Sequence, residues 1–185
     1  IIARALGASA VAAYAVPAQL FGLVTSVAIM LTGPLWPAYG EALAQGDEAW
    51  VRRTFRASLW VSGGLAIATA GLLIPLTPWL MRVWIGQGAS AAIAPSLGLL
   101  IALALWKMLE APLRACAMLM QGLSGLGNNA LKFQFAAALA CALVAVPLKI
   151  ALIPWLGVAG PVWATVIGLS LCVAAPTFLY LRKRL

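Results

Sequence analysis

The sequence predicts an all-α fold, a bundle of about five helices that cross a membrane. Two observations carry that reading. Of its 185 residues 64% are hydrophobic and only 9% charged, where soluble domains are about half apolar and about a quarter charged. A soluble domain of this size still exposes a large surface, so it could not hide this excess. The mean hydropathy of +1.04 is concentrated in runs long enough for the roughly 20 apolar residues that a helix needs to cross a bilayer core about 30 Å thick. The runs are rich in Leu and Ala and lack the alternation of a barrel strand.

Five spans follow in order. The first, about Ser9 to Leu35, carries no charge. Pro34, Pro37 and Gly40 are expected to end it, since proline removes a donor and clashes with the preceding turn. After Gly46, Asp47 is placed to cap the next helix. The second span runs from about Ala57 to Met81, with Pro75 and Pro78 expected to break its end. There Trp79, Arg82 and Trp84 read as an interfacial turn. The third, about Ala94 to Gln121, holds charges in its middle. The fourth and fifth cover about Leu131 to Pro154 and Ala159 to Leu181. Gly122 to Asn129 and Pro154 to Gly160 are the turns between them. Gly63, Gly64, Gly71 and the alanines of the second span are expected to let helices approach closely.

The net charge of +8 does not point to nucleic acid. The basic residues punctuate apolar runs and form no stripe on a soluble face. They report orientation instead. With five spans, Arg52, Arg53, Arg56, Lys132, Arg182, Lys183 and Arg184 fall on one side, and Arg4, Arg82 and Lys149 on the other. The richer side is expected to be cytoplasmic. Cys116, Cys141 and Cys172 each sit inside an apolar run, without metal-ligand spacing, and read as small packing residues. The chain has no His. No cofactor, metal or catalytic set is expected: no nucleophile–base pair, paired carboxylates or phosphate-binding loop occurs. The chain starts within an apolar run without Met, and its start does not read as a signal peptide. Its abrupt ends are expected to be those of a piece of a longer protein.

The residues with chemical potential are Lys107, Glu110 and Arg114 in the third span. A charge inside a membrane costs about 2.5–3.5 kcal/mol, so these three must face protein or water. Helical spacing puts Lys107 and Arg114 on one line, which Gln121 continues, with Glu110 in reach of both cations. Pro112 is expected to kink the helix. One reading is a polar stripe lining an aqueous cavity; its net charge of +1 suits a phosphate or pyrophosphate. The other is a set of charges that pair with one another and fix helix packing. Gln19 and Ser26 share a face of the first span and suit interhelical hydrogen bonds or a cavity contact. Arg52, Arg53 and Arg56 serve orientation or a headgroup contact at the cytoplasmic mouth.

Pro34 to Ala42 (PLWPAYGEA), followed by Gly46-Asp47 and Trp50, resembles the polysaccharide flippases, the O-antigen and exopolysaccharide branch of the superfamily that includes multidrug extruders. Leu6 to Val16, Leu123 to Asn128 and Gly157 to Thr165 are similar to the same family. The resemblance implies a transporter of two pseudo-symmetric bundles that flips a lipid-linked oligosaccharide (on undecaprenyl pyrophosphate) across the bacterial inner membrane by alternating access. This chain would be most of the C-terminal bundle. Its partners would be membrane lipid, that substrate and the N-terminal half. The alternatives are a multidrug antiporter, whose cavity should be acidic where only Glu110 is a carboxylate within a span, and a non-transporting membrane scaffold. The charged stripe belongs to no motif of the family.

Overall fold

A computed structural model describes residues 8–86, 94–124 and 129–182. The expectations for Arg4, Lys183, Arg184 and the middle of the Gly122–Asn129 turn fall outside them. The described residues are helical apart from short turns, and no strand occurs among them. The helices are α1 (Ala8–Thr32), α2 (Leu35–Ala44), α3 (Glu48–Ile85), α4 (Leu97–Ser124), α5 (Ala130–Leu156), α6 (Gly160–Gly168) and α7 (Ala175–Arg182). A 3-10 turn, Gly157–Ala159, joins α5 to α6, and a π-helical stretch, Leu169–Ala174, joins α6 to α7.

Among the described residues three segments are long and apolar enough to cross a membrane: Ala10–Ala44, Glu48–Trp84 and Ala130–Arg182. Helix α4 is long enough, about 42 Å at 1.5 Å per residue. It falls short in composition, because every 18-residue stretch of it contains Lys107, Glu110 and Arg114. The third segment folds back on itself. The Phe133 and Tyr180 rings stack at 4.7 Å, Gly168 lies against Ala145 and Cys141, and Gly160 against Leu152. Those pairings step in opposite directions along the two arms, so α5 and the α6–α7 rod form an antiparallel hairpin. Gly157, at φ +54°, takes the left-handed conformation that reverses the chain at little cost only for glycine.

The bundle is built around α4, which packs against α1, α2, α3, α5 and α6. Its core has three layers. One end gathers Phe21, Ala70, Leu99, Leu100, Ala102, Leu103, Ala104, Ala159 and Val162. The middle holds Val24, Ala28, Ala66 and Ala111. The other end holds Tyr39, Val51, Phe55, Cys116, Leu119, Met120, Ala130 and Leu181. This last layer places the start of α3, the start of α5 and the end of α7 together. Arg52, Arg53, Arg56, Lys132 and Arg182, all exposed, therefore share one end of the bundle, as the charge reading requires.

Several local expectations are corrected. Pro75 and Pro78 do not break the second helix: α3 runs through both to Ile85, so Trp79, Arg82 and Trp84 extend that helix and form no separate turn. Prolines are tolerated in membrane helices because neighbouring helices, Ser and Thr hydroxyls and local backbone adjustment satisfy the freed groups. Pro112 likewise lies within α4, which continues past it to Ser124. Helix α1 ends at Thr32, before the Gly33-Pro34 turn, and Pro37 and Gly40 belong to a new helix. Pro37 sits in the first turn of α2, where its missing N–H costs nothing. Asp47 caps α3 as expected, its Oδ1 accepting from Trp50 N at 2.9 Å. The glycines of α3 do not mark a close contact, since a methyl group on Gly63, Gly64 or Gly71 would meet open space. The tight crossings use other glycines. A Cβ on Gly122 would lie 2.8 Å from Tyr39 Cβ and 3.1 Å from Gly40 N. The PLWPAYGEA segment is thus explained by packing: Tyr39 is fully buried, and Gly40 faces Gly122 at the α2–α4 crossing.

Candidate functional site

Helix α4 carries an apolar face that the other helices cover, and the charges fall halfway along it. Glu110 is 13 residues from one end and 14 from the other, about 20 Å from each. The i, i+3 and i, i+4 spacing lets one carboxylate meet both cations. Lys107 Nζ donates to Glu110 Oε2 at 2.7 Å, and Arg114 Nη2 donates to Glu110 Oε1 at 3.1 Å.

A neighbouring helix completes the site. Lys107 Nζ also donates to Thr25 Oγ1 of α1 at 2.9 Å, and the Thr25 hydroxyl donates to Glu110 Oε2 at 3.4 Å. The ammonium lies 4.1 Å from the centroid of the Trp106 ring, close enough for a cation–π attraction. The flanking residues are apolar: Val24, Ala28, Met108 and Ala111. Low dielectric strengthens each of these bonds and makes each one costly to lose.

The three charges differ in access. Lys107 is 7% exposed and saturated by its partners. The Glu110 side chain is 19% exposed and that of Arg114 39%. Arg114 uses one nitrogen on Glu110 and so keeps donors of its guanidinium fork for another acceptor. Chemically the site offers a fixed, net positive group with hydrogen-bond donors at mid-depth of an apolar bundle. Its one carboxylate among the described residues, Glu110, accepts from Lys107, Arg114 and Thr25 together.

The structure therefore unites Lys107, Glu110 and Arg114 and adds Thr25, which sequence reasoning did not single out. A threonine in an uncharged helix gave no signal of its own; only the packing of α1 on α4 selects it. Gln121, half-buried, extends the Arg114 line toward the basic end. Gln19 is exposed on α1, away from the triad, and Ser26 bonds back to Gly22 O of its own helix. The expected interhelical bond of that helix is made by Thr25 instead. Arg52, Arg53 and Arg56 are exposed near the start of α3, with Arg52 paired to Glu48 at 3.0 Å. An exposed pair of this kind contributes about 0.3–0.5 kcal/mol. Two cavities lie elsewhere. One, between α1 and α3, includes Ala28, Leu31 and Val61 in its lining; the other includes Lys132 and Phe135. A second polar tie joins α5 to α4, where Gln134 Nε2 donates to Ala117 O at 3.2 Å.

Thr25→Val should test the tie between α1 and α4. It keeps the shape and deletes the hydroxyl, and a lost bond to a charged group is worth about 1.5–3 kcal/mol. Thermal unfolding of the purified protein in detergent should show that loss. Ser26→Val, at an exposed position, should leave stability unchanged, and equal effects of the two would refute the tie.

Apolar helices of spanning length around a charged, centrally placed cluster define the class: an integral membrane protein of helical-bundle type. Comparison of the chain with family models, with curated proteins and with solved structures finds no match.

Proposed function

We propose that the chain forms five membrane spans, α4 among them, and is the C-terminal bundle of a flippase for a lipid-linked oligosaccharide in a bacterial inner membrane. The carrying observation is the net positive triad at mid-depth of α4, whose Arg114 keeps guanidinium donors accessible. A span can accommodate the triad because its charges largely neutralise one another. Each would alone cost about 2.5–3.5 kcal/mol, and the pairing removes most of that. The two arms of the α5–α7 hairpin, about 40 and 34 Å long, supply the fourth and fifth spans. The residual +1 suits a pyrophosphate crossing the bilayer, and bidentate guanidinium contact is the strongest recognition of that group. Charged groups at mid-depth are where transporters hold their substrates. The chemistry is binding and movement, with no bond broken. The PLWPAYGEA resemblance supports the substrate class.

A second reading has its own observation. Lys107 has three partners and little access, as a purely structural staple would. Arg114→Gln separates the two, because it leaves the Lys107–Glu110–Thr25 core intact. In the full-length protein, in cells that display the glycan, export should fall at least about tenfold (the loss of one charge-assisted contact) at unchanged expression. Arg114→Lys should retain part of it. Normal export by Arg114→Gln would remove the flippase role of this site and leave the staple.

A further inference from the structure

The cavity between α1 and α3 is not used by the triad. It is an apolar groove of 230 Å³ whose lining includes Ala28, Leu31, Leu35, Thr54, Ala57 and Val61. An apolar cavity of about 150 Å³ already takes up benzene, so this one has room for a length of hydrocarbon chain. It contains hydroxyls but offers none of those that are buried. Thr32 is bonded to Ala28 O at 2.7 Å, Ser58 to Phe55 O at 2.8 Å and Ser62 to Leu59 O at 3.3 Å. A sugar would find few partners there.

The groove has a direction. It begins beside the middle layer, at Ala28 and Ser62, and ends at Leu35 and Thr54, at the basic end of the bundle. From Thr54 to Ser62 is about 12 Å along α3, most of one leaflet's half of the hydrocarbon core. Arg53 stands one turn before Ala57, at the outer edge of the groove, and Arg56, about 100° round the helix from Ala57, lies on the adjoining exposed face. Helical side chains lean toward the N-terminus, so Arg53 extends outward along the groove axis. Among the described residues neither arginine has an ion-pair partner, whereas Arg52 is held by Glu48. Trp60, 82% exposed, lies one turn further on from Arg56, and Trp36 is exposed beside the other wall. Such indoles mark the interfacial region.

We propose that this groove binds one acyl chain of an anionic phospholipid in the leaflet at the basic end, with the lipid phosphate held by Arg53 and Arg56 adding positive potential from the adjoining face. An apolar slot beside unpaired cations matches a hydrocarbon tail under a negative headgroup, and a zwitterionic lipid matches it less well. The site depends on the membrane placement of the chain and not on the flippase reading, which Arg114→Gln tests separately.

The test uses the full-length protein in phosphatidylcholine nanodiscs with a trace of phosphatidylglycerol carrying a photoreactive group on one acyl chain. After illumination, adducts are mapped by mass spectrometry. Peptides containing residues 28–35 and 54–62 should be labelled at least about fivefold more than by a phosphatidylcholine probe with the same chain, the preference expected from one arginine near a headgroup. Arg53→Gln combined with Arg56→Gln, both at exposed positions, should abolish the preference. Ala57→Phe, which fills the groove from its exposed edge, should remove the labelling by either probe. Equal labelling by the two probes would mean annular lipid only and overturn the proposal. So would a preference that survives the double variant, labelling that survives Ala57→Phe, or stronger labelling by a photoreactive polyprenyl phosphate, which would make the occupant a carrier lipid.

Discussion

Glu110→Ala should destabilise the bundle by about 3–5 kcal/mol, the cost of removing one partner from a buried ion pair. The number is large because of what remains. Lys107 is almost fully buried, and without Glu110 its ammonium keeps only the Thr25 hydroxyl and the Trp106 ring. The desolvated charge then has no counter-charge in a medium that stabilises charge poorly. Arg114, more exposed, turns toward solvent or headgroups at smaller cost. The effect should be read as a drop in unfolding temperature in detergent and as lower yield of inserted protein. Removing both members of the pair, with Lys107→Met added to Glu110→Ala, should restore most of the loss, since isosteric apolar replacement of a buried pair is often neutral. If Glu110→Ala alone is as stable as the parent, the carboxylate is not what holds Lys107 in the bundle.

Gly160→Ala should cost about 1–3 kcal/mol by overpacking, although alanine is the better helix former. The added methyl would lie 2.6 Å from the carbonyl oxygen of Leu152 and 3.0 Å from Ile153 N. Both are backbone atoms next to the Gly157 reversal, so neither can swing aside; the two arms of the hairpin must separate. Gly64→Ala gives the opposite sign. Its methyl meets nothing within 4 Å, and exchanging glycine for alanine inside a helix gains about 1 kcal/mol. Unfolding of the two variants side by side checks the pair. A neutral Gly160→Ala would show that the arms are not packed at Leu152.

The contrast between those glycines shows where the sequence stopped being legible. Gly63-Gly64 and Gly71 look like a helix-packing motif because small residues permit close approach. Permission is not contact: that stretch of α3 is approached closely at Ala66 and Ala70, both buried, while Gly64 and Gly71 are exposed and a methyl on Gly63 would meet open space. Gly160 and Gly122, which looked like turn residues, are the ones that other backbone presses against. Nothing in a single sequence tells which face of an apolar helix will be covered when lipid and protein are equally greasy. The prolines failed for a related reason. In water Pro75 and Pro78 end a helix, but the apolar run around them keeps α3 continuous.

The charges of α4 were legible for the converse reason. Helical spacing alone puts Glu110 within reach of Lys107 and Arg114, and the penalty on charge in an apolar medium forces them together. Gln19 and Ser26 share one face of α1 and Thr25 stands about 100° from it, and only docking on α4 selects the Thr25 face.

The sequence by itself determined the helical class, the apolar solvent, the cap at Asp47, the charge asymmetry between the two ends and the Lys107–Glu110–Arg114 pairing. All of these depend on composition or on contacts within one helix. The tertiary structure alone decided that α4 is the central helix, that Thr25 closes the charged site, that Gly122 and Gly160 are the crossing points, and that an apolar groove opens between α1 and α3 one turn from Arg53. Those depend on which face meets which neighbour, and in a uniformly apolar chain that choice is made by shape and small-residue fit, which no periodicity of hydrophobic residues records.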